Sequence, residues 1–440
     1  MSRRKQVIFL IVGIIITLGS LYGCQGKTSQ SKDKVDDENI TTITWWSFPV
    51  FSQENSGDPL GTYEQKLIDA FEEIHPDIKV NLKMIDFTTG PEKLDVAIQN
   101  DSACDVLLDA PGRIIAYGKE GALASLDDMF TSDFIADVDN ENLINSCKGD
   151  DVAYMYPLSS SPFYMAFNKE YLEKAGVLDL VKEGWTTDDF TTVIEALRAE
   201  GYVAGSVFCN GSGGDQGTRA FVSNLYSNPI TDEALTKYTV DQENGVKALE
   251  YIKNAVDNGY LLSGNMKNGS DVISDFVSGK TAFTLLWGAS QQSTNSSELE
   301  KNGIETVEVP FPSEDGKAEL EYLVNGFAVF DNGDEKKIEA SKEFVKFLCD
   351  DETYGPANVV RTGCVPVRSS FGDLYDDERM KTIGTWTKYY STYYNTIDGF
   401  ANMRGLWTNM LNSILSGDKA PEKATADFVS EANKTIEGEE

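Results

Sequence analysis

Residues 71–84 read Phe71-Glu72-Glu73-Ile74-His75-Pro76-Asp77-Ile78-Lys79-Val80-Asn81-Leu82-Lys83-Met84, and the apolar period changes inside this stretch. Before the His75-Pro76 pair, Leu67, Phe71 and Ile74 share one helical face, which predicts a helix over 62–74 with Thr62 as its cap. After the pair, Ile78, Val80, Leu82 and Met84 alternate with polar residues, which predicts a strand. Working outward, Ile43-Thr44-Trp45 reads as a short strand and residues 91–99 as a second helix. Residues 104–108 read as a buried strand that turns at Asp109-Ala110-Pro111-Gly112. This β-α-β-α-β order at short spacing implies a mostly parallel sheet with helices on both faces, an α/β fold.

Further along, helices are expected at 171–175, 187–200, 245–258, 271–277 and 336–348, and strands at 281–287, 307–311 and 322–330. Residues 376–436 read as largely helical and rich in Trp and Tyr. There is no internal repeat.

The first residues are basic (Arg3, Arg4, Lys5), and an apolar run then extends to Leu21. The run is shorter than the ~20 residues of a spanning helix, so residues 1–23 are expected to be an export signal. Leu21-Tyr22-Gly23-Cys24 resembles the bacterial lipobox, which implies a lipid on Cys24 and a membrane-anchored protein working outside the cytoplasm. Residues 24–40 are nearly devoid of apolar side chains and read as a flexible tether.

The remaining chain suits two substantial cores of roughly 150 residues or more each. Hydrophobic residues make up 41% and the formal charge is −33. Such a field repels nucleic acid and anionic head groups, so neither is expected as a partner. Beyond Cys24, five cysteines remain with no C-x-x-C spacing. An odd set argues against a disulfide framework; Cys349 and Cys364 are the one pair considered, and buried thiols are the plainer reading.

Histidine occurs once, at His75. That removes Ser-His-Asp triads built elsewhere and every multi-histidine metal site, and no phosphate-binding glycine motif is present. The run Gly211-Ser212-Gly213-Gly214-Asp215 lacks a following Lys and reads as a loop. No catalytic residue, metal or cofactor is expected. Aromatic residues carry more weight. Trp45 and Trp46 lie where the first strand ends, the edge at which α/β sheets bind ligands. As strand neighbours they face opposite ways and cannot both enter one core face. Tyr164, Trp287, Trp386 and Trp407 fall near strand ends or turns. Flat rings with a few polar partners make a pyranose site.

Several segments together resemble the family 1 extracellular solute-binding proteins of ABC importers, which include maltose- and oligosaccharide-binding proteins. Besides the opening strand and the 71–80 stretch, these are residues 167–176 (FNKEYLEKAG), 185–190 (WTTDDF), 276–282 (FVSGKTA) and 363–368 (GCVPVR). The resemblance covers nearly the whole chain after the tether. It implies a two-lobed periplasmic-binding-protein fold of type II, a mixed sheet flanked by helices in each lobe. The lobes are expected at 41–157 plus 309–335 and at 158–308 plus 336–440, with crossings near Pro157, Val309 and Glu335. A carbohydrate, expected to be an oligosaccharide, would be closed between them by a monomer that docks on a membrane permease. The resemblance implies a site from Trp45, Trp46, Asp109, Tyr164, Trp287, Asn325, Trp386 and Trp407, with Arg361 and Arg404 in addition. At Asn325-Gly326 the family often has two glycines, and loop 49–61 looks longer than usual. Replacing Trp287 by Ala is expected to weaken binding with little change in melting temperature.

The alternative within this fold is a glycerophosphate or glycerophosphodiester binder, with Arg219, Arg361 and Arg404 as its cationic cradle. A secreted carbohydrate-active enzyme and a surface adhesin are the readings outside it.

Overall fold

A computed structural model of the chain describes residues 40–207, 214–265 and 267–437. The expectations for the signal segment, Cys24 and most of the tether, and those for Cys209 and loop residues 211–213, lie outside the described residues. The strands are β1 Thr41–Ser47, β2 Ile78–Met84, β3 Val106–Asp109, β4 Lys148–Gly149, β5 Val152–Ala153, β6 Tyr156–Pro162, β7 Tyr164–Asn168, β8 Phe283–Trp287, β9 Thr306–Val309, β10 Tyr322–Val329 and β11 Val365–Pro366. They form a six-stranded sheet in the order β11-β6-β10-β3-β1-β2, a three-stranded sheet β8-β7-β9 and the hairpin β4-β5.

The opening β-α-β-α-β unit is present. β1 runs parallel to both β2 and β3, with Trp45 opposite Leu82 and Val106. The helix Thr62–Ile74 connects β1 to β2 and buries Leu67, Ile68 and Phe71. Phe71 packs edge-on to Phe344 at 4.9 Å, and the His75 ring closes the helix by stacking on Phe71 at 4.5 Å. Thr62 does not cap this helix: Gly61 precedes it in a left-handed conformation, and the Thr62 hydroxyl donates to the Pro59 carbonyl. Pro111, expected in a turn, instead opens the helix Pro111–Lys119, where its missing N–H is no loss.

β10 is antiparallel to β3 and β6, so β6 points the same way as β1 and β3. β6 pairs within the first sheet through Pro162, and β7 pairs with β8 and β9 from Tyr164 onward. The chain therefore passes between sheets at Phe163, later than the expected Pro157. It returns between β9 and β10. The crossing expected near Glu335 is absent: the helix Glu335–Asp350 packs on the first sheet, with Phe344 edge-on to Trp45 at 5.3 Å. Its apolar stripe covers the face of β1 that carries Trp45, so residues 336–350 do not belong with the second sheet. The last passage follows β11, where Tyr390 bridges to Leu320. In the second half, Trp185 lies edge-on to Phe167 and Phe190 and donates to the Pro310 carbonyl, while Thr186 and Asp189 form a reciprocal capping box.

Cys104, Cys147, Cys349 and Cys364 are free and buried, so Cys349 and Cys364 are not paired. Among the described residues no helix is long and apolar enough to cross a membrane, and no group of His, Cys, Asp and Glu could hold a metal ion.

Candidate functional site

The carboxyl ends of β1, β3 and β6 meet at one edge of the first sheet, the location where ligands bind open α/β sheets. Asp109 ends β3. It accepts two bonds of 2.6 Å from the Nε and terminal nitrogen of Arg113, one helical turn on, and a third of 2.8 Å from the Ala110 amide. Burial pushes the Asp109 carboxyl up, while the Arg113 guanidinium and the amide work against that rise. The Arg113 guanidinium lies 5.1 Å from the centre of the Phe48 ring, just past the end of β1. Phe48 is wholly buried; Phe87, from the loop after β2, stacks on it at 5.0 Å and is 57% exposed. The stack depends on Gly90, since a Cβ there would meet the Phe48 ring at 2.9 Å. The first half thus carries one open aromatic face and a fixed, bidentate ion pair, both packed against the Phe48 ring. Asn325 lies next to it: its neighbour Gly326 pairs with Asp109, and its amide donates to Ser159 Oγ at 3.2 Å and to Cys364 Sγ at 3.6 Å.

The second half contributes a cavity of about 220 Å³ lined by Phe163, Gln216, Gly217, Ile273, Leu286 and Gln291 among others. Gln216 and Gly217 belong to the first turn of the helix Gly214–Leu225. Gly217 is required here: a Cβ would stand 2.2 Å from the Leu285 carbonyl oxygen of β8. Beneath the cavity, Tyr164 pairs with Trp287 across β7 and β8, and Trp386 meets Tyr164 edge-on at 5.3 Å. The structure therefore brings Tyr164, Trp287 and Trp386 together, but seals all three. Trp287 is fully buried against Phe276 and donates to Gln292 at 3.1 Å.

The other expected site residues disperse. Trp45 and Trp46 do face opposite sides of the sheet, yet both faces are covered. Trp45 is enclosed by Phe327 and Phe344, and Trp46 lies under the Lys83 ammonium, 3.5 Å from its ring centre. Trp407 is enclosed between two C-terminal helices against Phe428. As they stand, Trp45 and Trp407 have no ring face left for a solute, because each is packed on all sides. Arg361 holds the loop 49–61, donating to the Gln53 carbonyl at 3.1 Å and lying over the Tyr63 ring. Arg404 donates twice to Asp215, at 2.9 and 2.7 Å. Asp215 also pairs with the wholly buried Arg219, whose other donors reach Tyr394 Oη at 2.6 Å and Glu321 at 3.1 Å. Burial works against the Arg219 charge, but Glu321 and Tyr394 outweigh it and hold the guanidinium above its usual range. All three arginines proposed as an anion cradle thus already have protein partners. The sequence reading missed Phe87, Arg113, Phe163, Gln216 and Gln291. The four-residue spacing of Asp109 and Arg113 was the one available signal for any of them.

A family model described as bacterial extracellular solute-binding protein matches residues 55–354. No match was found among curated proteins. Among solved structures, the sugar-binding protein MalE from Xanthomonas citri is similar at 15% identity and TM-score 0.74, over 90% of this chain and 98% of that one. The GacH receptor of Streptomyces glaucescens, solved unliganded and with acarbose, is similar at 20% identity and TM-score 0.69, over 91% and 99%. An ABC substrate-binding protein from Listeria monocytogenes, solved in complex with cycloalternan, is similar at 21% identity and TM-score 0.68, over 91% and 100%.

Proposed function

Because the chain belongs to the bacterial extracellular solute-binding proteins, we propose that it captures a carbohydrate, an oligosaccharide of glucose-type pyranoses, between its two halves. The observation that carries this reading is the exposed Phe87 ring and the Asp109–Arg113 pair, both packed against Phe48 past the end of β1. A pyranose presents a C–H face to such a ring and hydroxyls to such a pair. In the second half, Gln216 and Gln291 line the cavity and supply amides that donate and accept. The acarbose and cycloalternan held by similar proteins are solutes of this chemistry. Hinge closure traps the solute, and the closed monomer delivers it unaltered to the permease of an ABC transporter. No chemistry is done on the sugar. In this reading Cys24 carries acyl chains after removal of residues 1–23, and the tether keeps the receptor at high effective concentration near its permease.

The test is a thermal-shift panel of maltotriose, acarbose, cycloalternan and glycerol 3-phosphate. At 100 times Kd a ligand adds about 2.7 kcal/mol of stability, a shift easily read. A neutral glycan should raise the melting temperature and glycerol 3-phosphate should not. A response to the phosphate alone, or cleavage of a bound glycan on incubation, refutes the reading. Mass spectrometry of the membrane fraction tests the lipid on Cys24.

A further inference from the structure

Three chain segments connect the two sheets and lie side by side. The Phe163 amide donates to the Glu321 carbonyl at 2.9 Å, the Leu320 amide to the Tyr389 carbonyl at 2.7 Å, and the Ser391 amide to the Leu320 carbonyl at 3.1 Å. Side chains leave this ribbon in two directions. Tyr390 reaches back to the first sheet, 3.1 Å from Ser160 Oγ of β6, and stacks on Tyr322 at 4.0 Å. Tyr322 donates to the Asn142 carbonyl at 2.9 Å, and Asn142 donates to the Tyr390 carbonyl at 2.9 Å. Glu321 and Tyr394 turn the other way. The Tyr394 hydroxyl donates to one Glu321 oxygen and accepts from Arg219 Nε at 2.6 Å, while Arg219 also donates to the other Glu321 oxygen at 3.1 Å.

Arg219 sits on the helix Gly214–Leu225, and its third nitrogen donates to Asp215, one turn earlier on that helix. Gln216 and Gly217, which line the second-half cavity, lie between the two. Two guanidiniums (Arg219, Arg404) face two carboxylates (Asp215, Glu321), so the cluster is formally neutral and has no role as an anion site. Its members come from the middle connecting segment, the last connecting segment and two helices of the second half. A buried charge held from several elements fixes their mutual position, since moving one partner leaves another unpaired.

We propose that Glu321, Arg219 and Tyr394 form the latch by which the connecting ribbon carries the pocket-lining helix when the halves open and close. This rests on the reading that the halves close on a solute. Glu321 is then a positioning residue: it touches no solute, but sets where Gln216 stands as the ribbon bends.

The experiment measures the distance between the halves without any ligand. Spin labels go on Glu92→Cys in the first half and Glu300→Cys in the second, both exposed. Cys24 and Cys209 are replaced by Ser in the full chain, the other cysteines being buried. Tyr394→Phe keeps the ring and removes the bridging hydroxyl. It should at least double the width of the distance distribution. Glu321→Gln should do the same and provides a second route if the first variant folds poorly. Arg404→Gln touches Asp215 but neither connecting segment; it should lower the melting temperature and leave the distribution narrow. An unchanged distribution in folded Tyr394→Phe and Glu321→Gln, or equal broadening in Arg404→Gln, overturns the latch. Because no sugar is present, this result is independent of whether the glycan panel succeeds.

Discussion

Replacing Phe87 by Ala tests the proposed sugar plate most directly. Phe87 is 57% exposed and its inner face stacks on Phe48. Taking about 200 Å² for a Phe side chain leaves roughly 110 Å² facing solvent. A pyranose lying on the outer face would cover about half of that, ~55 Å², which at ~25 cal/mol/Å² amounts to ~1.4 kcal/mol. The variant should therefore bind about tenfold more weakly. The lost stack on Phe48 contributes about 0.5–1.5 kcal/mol to folding, so the melting temperature should fall by only a few degrees. Isothermal titration with the glycan that gives the largest thermal shift reads the affinity, and circular dichroism checks the fold. Phe87→Tyr keeps the plate and should stay within about twofold of wild type. A folded Phe87→Ala protein that binds within threefold of wild type would place the sugar elsewhere and refute the reasoning.

Trp287→Ala, expected from the sequence to affect binding alone, should instead destabilise the fold by about 3–5 kcal/mol, because the ring is fully buried; chemical denaturation measures it. Glu64 is buried with one Gln53 bond, and burial raises its carboxyl. The folded protein therefore holds this proton to higher pH than the unfolded chain, so its contribution favours folding at low pH and is lost as pH rises through the folded pKa. Glu64→Gln should accordingly flatten the decline in melting temperature that this group causes as pH rises above the ordinary carboxylate range; an unchanged slope counts against it. Burial lifts the Cys104 thiol well above its usual range and the Cys147 thiol to about 12. Peptide mapping after native alkylation should find Cys104, Cys147, Cys349 and Cys364 unmodified until denaturant is added.

The helix Thr62–Ile74 and the strand β2 were legible because each carries its own period, and β3 because it is a short apolar run before a turn. Leu67, Phe71 and Ile74 recur as a helix demands, and Ile78, Val80 and Leu82 as a strand demands. The crossings were not, because their residues give no such pattern. Ser159, Ser160 and Ser161 are polar, yet they lie buried in β6 between β10 and β11, and only long-range pairing shows that the strand runs on to Pro162. The helix Glu335–Asp350 was recognised as a helix but assigned to the wrong sheet. Its stripe of Ile338, Phe344 and Leu348 says that it packs, not on what.

The tryptophans show the same limit at the level of the site. Strand alternation places Trp45 and Trp46 on opposite faces, and that holds. What alternation leaves open is whether a face is covered, and here Phe344 covers one and Lys83 the other. Counting aromatics near strand ends therefore selected Trp45, Trp287 and Trp407, which are packing residues, over Phe87, whose loop position leaves one ring face open. Charged pairs at helical spacing carried better information. Asp109 and Arg113, and Asp215 and Arg219, each sit four apart across the start of a helix, the first beside Phe48 and the second flanking Gln216 and Gly217 of the second-half cavity. A carboxylate one turn from a guanidinium at that place fixes the guanidinium's direction before any solute arrives. In the first pair the arginine retains an exposed flank, so it is available to a hydroxyl. In the second it is spent on Glu321 and Tyr394, so it serves the hinge. Two pairs of the same spacing thus do different work, and the difference lies in partners from distant parts of the chain.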